Sequence, residues 1–116
     1  MINTPQLGSR QTSSEATLTG GARIGWFNAT WPFAKLQATP DQLTLKVTFS
    51  GTYVFPISSV IAVHKFVHIP FIGWGIRIEH TLPEYPAHIV FWYLGFPSTV
   101  LLFIEQRGFP PSKIHQ

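Results

Sequence analysis

Cysteine is absent from the 116 residues, and methionine occurs once. A disulfide framework, a thiolate-bound zinc and a thiol nucleophile are thereby excluded. Charge is also scarce: Asp, Glu, Lys and Arg make up 11% of the chain, five acids against eight bases, about half the usual share. The net charge of +3 and the pI near 9.6 thus reflect few acids more than many bases. Arg10, Arg23, Lys35, Lys46, Lys65, Arg77, Arg107 and Lys113 stand singly. The basic run that a nucleic-acid patch would use is missing, and no nucleic-acid partner is expected.

Uninterrupted apolar runs of spanning length are missing too. The window AHIVFWYLGFPSTVLLFI, residues 87–104, holds His88, Gly95, Pro97, Ser98 and Thr99. A spanning helix needs about 20 continuous apolar residues, so this window divides into a strand and a helix. The opening MINTPQLGSRQTSSEATLTGG lacks the basic region and apolar core of a signal peptide. Without these segments the reading is a cytoplasmic chain, with the membrane surface as the other station.

What remains is rich in apolar side chains, at 45% hydrophobic and 15% aromatic. That suffices for one core in one domain, and it leaves an excess that points toward partners, self-association or lipid. Polar, aperiodic sequence at residues 1–21 and Pro-Pro-Ser-Lys-Ile-His-Gln at 110–116 read as flexible tails. The ordered domain is expected at 22–109.

Strands dominate that domain. Leu43-Thr-Leu-Lys-Val-Thr-Phe49 alternates strictly, placing Leu43, Leu45, Val47 and Phe49 on one face. Ser50-Gly51 reads as a hairpin turn into a strand that ends at Pro56. Arg23–Ala29, Phe33–Ala38, Val60–Val67, Gly75–Thr81 and Ala87–Leu94 supply the others, seven in all. The last element changes period: Pro97 or Ser98 starts a helix at about 98–107, with Val100, Leu101, Phe103 and Ile104 as its apolar stripe. Gly108 suits a left-handed stop, and Phe109 is placed to fold back onto the stripe.

Seven strands and a closing helix, with Trp31-Pro-Phe-Ala-Lys-Leu, Thr39-Pro-Asp-Gln-Leu-Thr-Leu, Phe55-Pro-Ile-Ser-Ser-Val-Ile-Ala-Val-His, Gly75-Ile-Arg-Ile-Glu-His, Ile89-Val-Phe-Trp and Arg107-Gly-Phe, resemble the pleckstrin-homology-like superfamily, in particular its bacterial PH and GRAM-like branches. The resemblance covers about residues 23–109. It implies an all-β, bent, partly open seven-stranded barrel of two near-orthogonal sheets capped by the C-terminal helix. It also implies a binding or assembly role. Phosphoinositide-binding members carry several Lys/Arg on the first two strands and their connecting loop. This chain has no basic residue between Arg23 and Lys35, so that loop lacks the convergent donors phosphate needs.

Reactive constellations are not expected. The five histidines are His64, His68, His80, His88 and His115. His64 and His68 share a strand face but lie about 13 Å apart along it, while His80 and His88 flank one loop. Neither pair makes a metal site by spacing alone, and no metal or other cofactor is assigned. Asp41, Glu84 and Glu105 fit turn, loop and helix-end roles, and Glu79 is expected to pair with Arg77 or Lys65 on the surface. Gly73-Trp-Gly75 precedes a strand, not the helix a phosphate loop requires. A non-enzymatic module is the reading.

The aromatic loops are the candidate surface: Trp26, Trp31 and Phe33 around the first connection, Phe71 and Trp74 in IPFIGWGIRIEH. In a small barrel such rings commonly fill the barrel mouth. Left exposed, they would serve contact with a protein partner or a second copy, alongside strand edges. A second class of reading is anionic-lipid contact through Lys35, Lys46 and Lys65 with Trp31 or Trp74 as anchor. A third is an apolar small ligand inside the barrel.

Overall fold

The computed structural model describes residues 17–68 and 73–115. Strands β1 (Thr17–Ile24), β2 (Phe27–Ala38), β3 (Gln42–Val47) and β4 (Gly51–Pro56) form an antiparallel meander. A 3-10 turn at Ile57–Ser59 leads to β5 (Val60–His68), β6 (Gly73–His80) and β7 (Ile89–Trp92). Helix α1 (Pro97–Gln106), a 3-10 turn at Pro111–Lys113 and β8 (Ile114–His115) follow. Hydrogen bonding gives one curled, partly open sheet of eight strands in the order β4-β3-β2-β1-β7-β6-β5-β8.

The concave side holds the core. Ala22 on β1, Leu36 on β2, Leu45 on β3, Phe55 on β4, Val63 on β5, Ile78 on β6 and Phe91 on β7 are buried against Val100, Leu101 and Ile104 of α1. The helix ends as its sequence dictates. Pro97 occupies the first turn, Gly108 adopts φ +96°, and its N–H donates to the Glu105 carbonyl at 2.9 Å. Phe109 turns back and is fully buried.

Four expectations are corrected by the backbone. Arg23–Ala29 is not one strand: Gly25, at φ +60°, turns the chain with Trp26, so the segment is a hairpin bend between β1 and β2. The preceding Thr-Leu-Thr-Gly-Gly, placed in the N-terminal tail, is the body of β1. Its glycines hide the strand signal because the packing requires them: a Cβ on Gly20 would lie 2.1 Å from the Trp92 carbonyl oxygen, and one on Gly21 2.4 Å from that of Ala29. At the other end, Ile114 pairs in parallel with Val63 and Lys113 Nζ donates to the Val60 carbonyl at 2.7 Å, so the C-terminal segment is tied down.

Phe49 is the fourth correction. Alternation along β3 holds through Val47, but Thr48–Ser50 then form the turn and Phe49 adopts φ 70°. The ring projects from the hairpin tip, 91% exposed.

The seam between β4 and the rest of the barrel is closed by side chains. The Val54 N–H donates to the Tyr85 hydroxyl at 3.0 Å. The Pro56 carbonyl accepts from the Ser59 hydroxyl at 2.7 Å, and Pro56 has no N–H to offer. Tyr85 also stacks edge-on against Tyr53 and Phe55, centroids 5.1 and 5.3 Å away. His80 holds its loop in place: Nδ1 accepts the Leu82 N–H at 3.0 Å, which leaves Nε2 to donate to the Pro86 carbonyl at 2.8 Å.

A candidate interaction face of aromatic rings and cations

Between Ala29 and Ala34, both buried, β2 shows four consecutive exposed residues, Thr30-Trp31-Pro32-Phe33. None has a registered partner on β1 or β3, so the segment stands out from the sheet as a bulge. Its Trp31–Pro32 peptide is cis. Trp31 and Phe33 are 52% and 46% exposed, and Trp26 on the neighbouring turn is 97% exposed. These rings do not fill the barrel mouth. The core is made of buried aliphatic and phenylalanine side chains.

Trp74 is 45% exposed and meets Phe96, the residue before α1, edge-on at 6.2 Å. Phe71 lies outside the described residues. The predicted aromatic set therefore divides into a β1–β2 group and a separate Trp74–Phe96 pair.

The lysines divide as well. Lys35 and Lys46 face each other across β2 and β3 on the convex side. Both line a groove of about 400 Å³ with Phe33 and Phe49, and the Thr48 N–H donates to the Phe33 carbonyl at 2.9 Å, tying tip to bulge. Lys65 pairs with Ile76 on β6, so by alternation it shares the concave side of Val63. It does not join the Lys35–Lys46 pair.

A second cleft, of about 420 Å³, lies on the convex side of β1, β2 and β7 and is lined by Arg23, Asn28, Trp31 and Trp92 among others. Glycine makes this shape. Gly21 and Gly75 are the register partners of Trp92 on its two sides, so no side chain from either neighbour crowds the indole. The Trp92 N–H donates to the Asn28 side-chain oxygen at 3.0 Å. Sequence reading passed over Trp92 because Ile89–Trp92 looks uniformly apolar; its pairing with two glycines is visible only in the register.

Beside the cleft, burial first and then the positive charges of Arg77 and Arg23 hold the His88 imidazole below its ordinary value of 6.5. Glu79 approaches His64 Nε2 at 3.5 Å, not the Arg77 or Lys65 partners expected of it. Among the described residues no group of three or more His, Cys, Asp and Glu side chains is placed to hold a metal ion. No described helix is long and apolar enough to cross a membrane. No family model, curated protein or solved structure matches the chain.

Proposed function

We propose that this chain is a non-enzymatic interaction module with a PH-like arrangement, and that it takes a protein partner or a second copy of itself on the β1–β2 aromatic surface. The carrying observation is the bulge Thr30–Phe33, outside the register of β1 and β3, which presents Trp31 and Phe33 to solvent next to the exposed Phe49. Aromatic rings supply most of the affinity of protein contacts, and contiguous exposed apolar surface on a small domain marks an interaction site. The PH-like reading is supported by a four-strand meander, a three-strand meander and a C-terminal helix packed on the concave side.

The aromatic mode is favoured over addition of a strand at β4. Alternation turns Thr52, Val54 and Pro56 toward that edge, where Val54 and Pro56 already have partners or lack a donor. At the other edge β8 covers β5 only at Val63 and His64, which leaves Lys65–His68 as the longer open stretch.

Light scattering across a wide concentration range tests self-association. A mass that rises with concentration in the wild type and stays monomeric in Trp31→Ser/Phe33→Ser supports it. A strict monomer up to about 1 mM removes the second copy as the occupant.

One observation favours a second reading, contact with anionic membranes. Phe49 projects beyond the turn while Lys35 and Lys46 stand behind it, as an apolar anchor with headgroup cations would. Co-sedimentation with anionic vesicles that is lost at high salt, or in Lys35→Ala/Lys46→Ala, supports this reading. No sedimentation with any vesicle rejects it.

A further inference from the structure

The convex face beside the Trp31–Trp92 cleft carries a cationic row that no carboxylate among the described residues neutralises. Register places Arg23 of β1, Val90 of β7 and Arg77 of β6 side by side. With strands about 4.8 Å apart, the two arginine Cα atoms are about 10 Å apart. Val90 points outward between them and is nevertheless fully buried. Its cover includes the Phe66 ring, whose centroid is 5.7 Å from that of His88 and 5.8 Å from that of Trp92, the residues flanking Val90 on its own strand face.

The two guanidiniums are held differently. Arg23 donates Nε to the Gly25 carbonyl at 2.9 Å. Arg77 has its Nε shut away from water with no hydrogen-bond partner. Neither pairs with a carboxylate among the described residues; Glu79, on the same strand face as Arg77, is turned to His64. Both positive charges bear on His88, whose imidazole is held below its ordinary value by burial first and then by Arg77 and Arg23. Buried cationic donors are ordinarily paired, and arginine forks match carboxylate and phosphate geometry.

Arg23 also belongs to the neighbouring cleft, which offers two indoles, a glycine floor at Gly21 and the amide of Asn28. A flat apolar body fits such a surface by stacking. We propose that this convex face binds a small planar aromatic anion, its ring in the Trp31–Trp92 cleft and its carboxylate or phosphate held at Arg23, the cation that lines that cleft. The site shares Trp31 with the association surface but adds Arg23 and Trp92, and it does not rest on that reading.

Titration of the intact chain with 2-naphthoate, 2-naphthyl phosphate and uncharged 2-naphthamide, followed by calorimetry and amide NMR, tests this. One or both anions should bind at least about tenfold tighter than the amide, the increment of a charge-assisted hydrogen bond. Which anion binds tighter distinguishes a carboxylate from a phosphate ligand. Arg23→Gln should remove most of that preference, Arg77→Gln, which lies outside the cleft, should lower it less, and Trp31→Ala should weaken all three ligands alike. Arg23→Lys, which keeps the charge but loses the fork and should keep only part of the preference, covers the case in which Arg23→Gln does not fold. Absence of saturable binding up to about 10 mM overturns the proposal. So does equal affinity for anion and amide, or a preference that survives the arginine substitutions.

Discussion

Replacing Tyr85 with phenylalanine removes a single oxygen and leaves the ring against Tyr53 and Phe55. The oxygen is the acceptor for the Val54 N–H at 3.0 Å, in a part-buried position. An exposed N–H would turn to water, and the substitution would then cost under about 1 kcal/mol. A donor left without an acceptor costs about 1–3 kcal/mol. Partial burial places the expected loss at about 1–2 kcal/mol, which for a domain of this size lowers Tm by about 4–8 °C per kcal/mol. Urea unfolding should show a lower midpoint with an unchanged slope, and the Val54 amide should exchange faster than in the wild type. Tyr53→Phe is the control: its hydroxyl meets the Ser50 side chain and carbonyl in the β3–β4 turn, so its loss should be smaller. If Tyr85→Phe leaves both midpoint and Val54 exchange unchanged, the seam is not held closed by this hydroxyl.

Other substitutions follow from the same geometry. Gly75→Ala places a Cβ 2.3 Å from the Phe91 carbonyl oxygen and should destabilise by about 1–3 kcal/mol in urea unfolding, the range for overpacking. Phe109→Ala empties a fully buried site against the helix and should cost about 3–5 kcal/mol. Because the folded-state pKa of His88 is lowered, the unfolded chain takes up its proton first. That contribution to stability is complete above about pH 6.5 and is lost as pH falls below it. His88→Gln should therefore flatten the acid side of a Tm-against-pH profile. Trp31→Ser and Phe33→Ser, both at exposed positions, should each leave Tm within about 4 °C of the wild type, since surface changes rarely exceed about 0.5 kcal/mol.

Local chemistry made the helix and its stop legible: Pro97, the stripe ending at Ile104, Gly108 and Phe109 each act through neighbours in sequence. Alternation made β3 legible up to Val47 and failed at Phe49, because a turn residue at positive φ breaks the period that reading assumes. Gly20 and Gly21 concealed β1, since glycine weakens any strand pattern and its reason for being there, close approach of β2 and β7, comes from distant parts of the chain. Exposed aromatics at Trp26, Trp31 and Phe33 were legible as candidates, but not their orientation, which depends on the bulge. The Arg23–Val90–Arg77 row had no local signature. Val90 reads as core in sequence and is buried, yet it faces outward beneath side chains brought there by the register.

The strand order also sets a timetable for folding. Hairpins within β1–β4 and within β5–β6 close locally, but the outer side of β1 is satisfied only by Ile89–Trp92 of β7, which emerge after β6 during synthesis. Until then β1 presents an unpaired edge rich in glycine, and the concave side lacks α1. Closure across such a separation is slow relative to hairpin formation, so the β1–β7 junction is the step at which the nascent chain is most open to pairing with another chain.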